Sequence, residues 1–139
     1  MAKSPRLKAR NTAWRWFSKY VRARDCLETT GDLKTGVCIT CGARVRFEKL
    51  DCGHFIPGRQ DSVLFHEHNA HAQCVPCNRF KQGMWVVYEK AIRSKYGQDE
   101  VDRLKDLYYV KITYTESEYR NIADMYREKF KGVCNGKDV

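Results

Sequence analysis

Two identical pairs, Cys38-Ile-Thr-Cys41 and Cys74-Val-Pro-Cys77, stand 32 residues apart in a chain of 139. A Cys-x2-Cys turn lets two thiolates approach one ion from a tight bend, and two such turns complete a tetrahedral four-cysteine site. The spacing therefore predicts a structural zinc held by Cys38, Cys41, Cys74 and Cys77. It also constrains topology, because everything between the pairs must leave one point and return to it. The gap is longer than in a simple zinc ribbon, so the ion staples an inserted unit at its base. Four buried free thiols would give no reason for two equal spacings.

The other cysteines are Cys26, Cys52 and Cys134, which makes seven in all. An odd number leaves one unpaired in any complete disulfide scheme. The N-terminal MAKSPRLKARN has no apolar centre of the kind a secretory signal needs, so the chain is expected in the cytoplasm, where thiols stay reduced. Cys26 and Cys134 then read as small buried hydrophobes, and Cys52 falls inside the segment of greatest chemical interest. No run approaches the roughly 18 apolar residues of a membrane span. With 42% apolar and 31% charged residues, the sequence suits one globular domain over 1–139.

The net charge of +9 is unevenly placed. Residues 1–24 carry eight Lys/Arg and no acid, whereas the rest of the chain has 18 basic and 17 acidic side chains. Such concentration points to a polyanion, nucleic acid first and an anionic membrane surface second. Residues 1–11 read as a mobile basic tail, and 12–27 as a helix. Trp14, Phe17 and Val21 lie on one side of it, and Trp16, Tyr20, Ala23 and Leu27 form a second strip. Arg15, Lys19 and Arg22 fall between these strips as a phosphate-facing stripe, and Gly31 ends the segment.

Residues 32–73 are turn-rich, with 43-ARVRF-47 and 62-SVLF-65 as strand cores. Residues 78–96 read as a helix stopped by Gly97, and a short helix follows over 98–108. Thr115 and Glu118 form a capping box that opens a last helix to about Lys131. Its strip of Tyr119, Ile122, Met125, Tyr126 and Phe130 is core or subunit interface. The organisation is thus a basic tail and helix over 1–30, a zinc-stapled core over 36–97, and C-terminal helices over 98–139.

The insert holds 51-DCGHFIPGRQ-60, then 66-HEHNAHAQCVPCNRFKQG-83. Gly53 and Pro57 suggest a tight, exposed turn that aims His54 outward. A histidine at a strand end, an asparagine before the second cysteine pair and a metal-binding side chain just after it resemble the HNH nuclease motif. His54, Asn69 and Asn78 occupy its three letters. Taken with the helix ending 20-YVRARD-25, the chain resembles the phage NinG (Rap) recombination endonuclease family over roughly 12–130. It is also similar to phage endonuclease VII. The resemblance implies an α+β fold with a ββα-metal (HNH-like, His-Me finger) core, flanked by N- and C-terminal helices. It implies metal-dependent cutting of Holliday junctions or D-loops, leaving 5′-phosphate and 3′-hydroxyl ends.

Each residue has a physical role in that chemistry. His54 can take a proton from water near neutral pH. Asp51 and Asn78 offer two oxygens to a catalytic Mg2+ or Mn2+, a sparse site that leaves room for a phosphate oxygen. Asn69 ties the hairpin to the loop bearing His54, and His71 orients a ligand or touches phosphate. Arg59 and Lys81 neutralise phosphate, as do Arg15, Lys19 and Arg22. Many HNH motifs place the acidic ligand directly before the histidine, where this chain has Gly53. If Asp51 points away, Asp61 is the substitute. Helix capping is the alternative for Asn78, with metal ligation favoured over it. His66 and His68 are expected in solvent, and Glu67 has no assigned role. Symmetric cutting of a junction calls for a C2 homodimer, with a phage or host recombinase as a further partner. The rivals are a non-catalytic zinc module that binds DNA, and a sequence-specific HNH endonuclease.

Overall fold

The computed structural model describes residues 2–58 and 60–136. The first helix, α1 (Pro5–Thr30), starts inside the segment read as a mobile tail. Ser4 accepts a hydrogen bond from the Leu7 amide at 3.1 Å and Pro5 fills the first helical position. This Ser-Pro pair is a helix start because serine satisfies an otherwise orphaned amide and proline has none to satisfy. The early turns are also tethered. Arg6 Nε donates to the Tyr114 carbonyl at 3.0 Å, and Arg10 Nε to Asp61 Oδ1 at 3.2 Å. Gly31, at φ 82°, closes the helix with its amide on the Leu27 carbonyl.

At the other end of the chain, α5 (Glu116–Cys134) opens with the expected Thr115–Glu118 capping box and packs along α1. Phe17 meets Tyr126 edge-on at 4.9 Å, and Trp16 lies 6.0 Å from Phe130. Phe17 and Tyr126 are buried, each burial worth about 1.5–3 kcal/mol. The apolar strip of α5 is therefore covered mainly by this chain's own first helix, and only Met125 stands largely open. Cys134 is exposed, contrary to expectation, because α5 continues past Lys131 and ends in solvent. Cys26 is buried as expected.

Two small antiparallel hairpins lie against α1. β1 (Thr35–Val37) pairs with β2 (Arg44–Arg46), within the expected 43–47. β3 (Leu50–His54) pairs with β4 (Ala70–Cys74), from Leu50↔Cys74 to His54↔Ala70. So 51–54 is strand and not the exposed turn that Gly53 and Pro57 suggested. Its alternation is real but poorly advertised. Leu50 and Cys52 join clusters with α1 residues, while Asp51 and Gly53 face the other way. The other expected strand, 62–65, is instead a helical turn, α2 (Asp61–Leu64). A short apolar run does not distinguish the two by periodicity, and Asp61 decides for the helix by accepting from Arg10, the Tyr114 amide and Tyr119.

After β4 comes a π-type turn, Pro76–Phe80, then a tight bend, and only then α3 (Trp85–Tyr96). The helix therefore starts seven residues later than the expected Asn78. The reason is a run in the left-handed region, Gln82, Gly83 and Met84 at φ 52°, 74° and 54°, which no α-helix continues through. Gly97 ends α3, and α4 (Gln98–Leu107) follows as read. Together α3 and α4 pack Tyr88, Ile92, Val101 and Leu104 on Phe55, Ile56 and Val63. The β3–β4 hairpin is thus held between α1 and the α3–α4 pair, an α+β arrangement. No helix among the described residues is long and apolar enough to cross a membrane.

Candidate functional site

The four cysteines of the two pairs converge. Their Sγ atoms all lie within 4.8 Å of one another, and Cys41 and Cys74 are 3.7 Å apart. A tetrahedron with bonds of about 2.3 Å has edges of roughly 3.8 Å, so the sulfurs are near ligating distance. The first pair sits in a bend closed by Cys38 N–H to Ala43 O at 2.9 Å, with Gly42 at φ 77°. Ile39 N–H hangs that bend on β4 through the Ala72 carbonyl at 3.0 Å. Burial pushes the Cys38 thiol up, but the Cys41 and Cys74 amides and Thr40 overcome this and bring its pKa to about 6. The donor set suits a thiophilic ion, and the cluster can hold a metal such as zinc.

Directly after Cys77, Asn78 Nδ2 donates to Asp51 Oδ2 at 2.9 Å. Arg79 grips the same carboxylate through Nε at 2.8 Å and Nη2 at 2.9 Å. Burial raises the Asp51 pKa, but hydrogen bonds from Arg79 and Asn78 and the charges of Arg79 and Arg22 hold it below the usual carboxylate range. Asp51 and Asn78, 27 residues apart in sequence, therefore meet. They line a recess of about 370 Å3 walled by Trp14, Ser18, Arg22, Cys52 and Arg79, among others.

His54, at the end of β3, lines a different recess, with Gln82 and Trp85, so it and Asn78 do not face the one shared cavity that the expected metal-assisted chemistry needs. Its ring stacks on Trp14, centroids 5.2 Å apart, so Trp14 touches the histidine and also walls the Asp51 recess. Nε2 lies 2.9 Å from the Leu64 carbonyl. A carbonyl only accepts, so Nε2 carries the proton and a neutral His54 has its lone pair at Nδ1. The loop supplying that carbonyl is locked by Asn69, whose Oδ1 accepts from Ile56 N–H at 2.7 Å. Its Nδ2 donates to the Ile56 and Val63 carbonyls at 3.1 Å each.

Gly53 now has a reason to be where HNH motifs have an acid. A Cβ there would lie 2.0 Å from Oε1 of Gln73, which is fully buried. Gln73 cannot swing aside, since its Nε2 donates to Thr40 Oγ1 at 3.1 Å and the Gly83 carbonyl at 2.8 Å. Gly53→Ala is expected to destabilise the fold by about 1–3 kcal/mol, as overpacked cores do, read as a lower urea midpoint. Gly53→Asp should cost more. A midpoint unchanged in Gly53→Ala would refute the packing argument.

His71 does not reach phosphate. It is buried between Tyr88 Oη at 3.3 Å and Tyr96 Oη at 2.8 Å, and burial pushes its pKa down to about 2. It stays neutral and ties β4 to α3. Asp61 is likewise no substitute ligand, being buried and bonded to Arg10 and Tyr119. Nor are His66 and His68 free in solvent. Both are half-buried, with His68 on Glu100 and stacked on Tyr96. Glu67 gains a role, accepting from Tyr126 at 3.0 Å and Lys129 at 2.7 Å to join the helices to the β4 approach. Cys52 is a core residue whose thiol burial pushes up to about 12.

Of the expected phosphate contacts, Arg22 is half-buried beside Asp51, Arg15 and Lys19 are exposed on α1, and Lys81 is exposed after the π turn. Arg59 lies outside the described residues. Sequence reading missed Trp14 and Arg79, and it missed the Arg24–Asp25 pair. Arg24 donates to the Glu67 and Ala70 carbonyls, and Asp25 accepts from the Ala72 amide at 2.7 Å. An adjacent acid at the end of an acid-free run was the available signal.

A hairpin clamped on a long basic helix, with a four-cysteine cluster that can bind a metal at its base and polar residues gathered beside it, defines a small α+β protein of the cysteine-knuckle type. The chain matches the family model described as Bacteriophage Lambda NinG protein over residues 2–135, and it belongs to that family. It is 32% identical to Protein ninG of Escherichia phage lambda over 101 residues, 72% of this chain and 48% of that protein. Protein ninG of Escherichia phage 933W is 32% identical over the same length, 49% of its own chain. The chain thus spans about half the length of the curated relatives it matches. No solved structure gives a significant match.

Proposed function

We propose that this chain is a structure-selective, metal-dependent DNA endonuclease that hydrolyses phosphodiesters in branched DNA such as four-way junctions and D-loops. The observation that carries this reading is the Leu64 carbonyl on His54 Nε2, which fixes the tautomer a general base needs. Water attacks phosphorus while giving a proton to Nδ1, the bond to the 3′ oxygen breaks, and that oxygen leaves protonated by solvent. The products carry 5′-phosphate and 3′-hydroxyl ends.

Asp51 and Asn78 would hold the Mg2+ or Mn2+, in the recess beside the one that His54 lines. The ion supplies Lewis-acid relief of charge at the phosphate and leaving oxygen. Arg79, largely exposed, would release Asp51 to the ion and take up phosphate. The four-cysteine site serves as the rigid mount for Asn78. Arg15, Lys19, Arg22 and Lys81 hold backbone, which makes affinity salt-sensitive. A homodimer would place two such sites on a junction, in the cytoplasm of the phage's host and alongside a phage or host recombinase.

A second reading is a zinc module that binds DNA without cutting it, favoured by the Arg79 clamp on both Asp51 oxygens. A cleavage panel of forks, D-loops, four-way junctions and plain duplex, with Mg2+ and with Mn2+, separates them. Branched substrates are expected to be cut and plain duplex spared. Silence with both ions on every substrate would leave the binding module, and equal cutting of duplex would remove structure selectivity.

A further inference from the structure

The recess that contains His54 has an unusual far wall. It measures about 380 Å3, inside the range of small-molecule sites of about 300–1,000 Å3. Phe55, Ile56 and Pro57 line it, and opposite them stand Gln82, Gly83 and Trp85. Trp85 is 61% exposed, an indole left in water at the first position of α3. Phe80, 78% exposed, stands on the π turn just before.

Trp85 is not loose. It follows the three consecutive left-handed residues, two of which are not glycine. Such conformations persist only where surroundings enforce them. The enforcement is visible: Gln73 Nε2 holds the Gly83 carbonyl, Met84 N–H bonds Lys81 O, and Lys81 N–H bonds Pro76 O. Because Gln73 also bonds Thr40 in the first cysteine bend, the backbone that carries Trp85 is fixed relative to the four-cysteine cluster.

Charge says what the occupant is. The carboxylate in the wall, Glu89, is matched by Arg93 at 2.7 Å and Lys105 at 2.8 Å. Arg79 and Lys81 flank the turn, both exposed. An exposed indole sharing its recess with Lys105, and preceded by the exposed Lys81, fits a nucleobase joined to phosphate.

We propose that Trp85 is a stacking platform for an unpaired nucleobase, and that this contact lets the protein distinguish branched DNA from continuous duplex. Paired bases stay stacked within the helix, whereas a base at a branch point can turn out onto the indole. The proposal rests on the endonuclease reading only in placing the phosphate at His54.

The test uses the full chain without Mg2+ or Mn2+, so that binding is read apart from cutting. It is titrated into a duplex carrying an unpaired 2-aminopurine bulge and into a fully paired duplex containing the same probe. Wild type is expected to quench the bulged probe and to prefer that DNA by about tenfold or more, as base–aromatic stacking allows. Trp85→Ala should lose most of this preference, and Trp85→Phe should recover part of it. Trp85→Ala keeping the wild-type preference, an unquenched probe, or no binding to either DNA would overturn the proposal. So would sedimentation showing, without DNA, a dimer that Trp85→Ala abolishes, since the indole would then serve a second copy. Wild-type stacking with no cutting of any branched substrate in Mg2+ or Mn2+ would sink the endonuclease reading alone.

Discussion

Cys74→Ser is expected to abolish high-affinity zinc binding and to melt the β1–β2 hairpin while β3–β4, packed on α1 through Leu50, Cys52, Ala70 and Ala72, and much of the helical signal survive. The reason lies in what surrounds the cluster. The buried residues there are Cys38, Cys74 and Cys77 themselves, with only Val45 and Met84 packed against them. β1–β2 is a three-residue ladder with exposed arginines at its second strand, and an isolated two-stranded hairpin is marginal in water. Binding energy at structural zinc sites is folding energy, on the order of 10–16 kcal/mol in small zinc modules. That is comparable to the whole stability of a domain, about 5–15 kcal/mol. The α1–α5 pair is different, because Phe17, Val21, Tyr20 and Tyr126 pack without the cluster. Hydrogen exchange should therefore show lost protection over 35–46 and 76–84 in Cys74→Ser or after chelation, with β3–β4, α1 and α5 less affected. One bound zinc per chain should disappear with it. Unchanged protection after metal removal would refute the claim that the cysteines hold the β1–β2 hairpin and the turn after β4.

How much of this was readable beforehand depends on the range of the interaction involved. The cysteine cluster was legible because two equal spacings encode one local geometry twice. The Thr115 capping box was legible for the same reason, since its reciprocal bonds span three residues. Ser4-Pro5 offered a local signal too, but the density of positive charge suggested a tail, and only Arg6 and Arg10 reaching Tyr114 and Asp61 show why the helix extends to Pro5. Long-range contacts were the blind spot. His71 looks like a surface ligand in sequence, yet two tyrosines from α3, 17 and 25 residues away, enclose it.

Gly53 illustrates the same limit from the other side. Read locally, a glycine before a histidine means a turn. In the fold it is a strand residue kept small by Gln73 from across the ladder. Asp51, two residues back, points to the same face of β3. What sequence could not supply was the relation between Asp51 and His54. Strand alternation puts them on opposite faces, and Trp14 is the residue that touches the histidine and also walls the Asp51 recess.

His54→Ala should lower Mg2+-dependent nicking of a four-way junction by roughly 10²–10⁴-fold, the usual contribution of a positioned general base, while junction binding persists. Binding is expected to survive because the basic side chains on α1 and after the π turn lie on other elements. The fold should survive as well. His54 is half-buried, and its loop is held by three hydrogen bonds of Asn69 that do not involve the imidazole. Removing Asn69 instead should act indirectly. Asn69→Ala leaves buried Ile56 and Val63 carbonyls unmet, so it should lower both stability and nicking. The two variants thus separate chemistry from support: one loses rate with its melting curve intact, the other loses both. If the ring is a base with its lone pair at Nδ1, added imidazole should restore part of the lost rate in His54→Ala and none in Asn69→Ala. Full-rate nicking by His54→Ala would mean that the Leu64 bond and the Trp14 stack merely fasten a strand end, and the DNA-binding module would then be the better description of the chain.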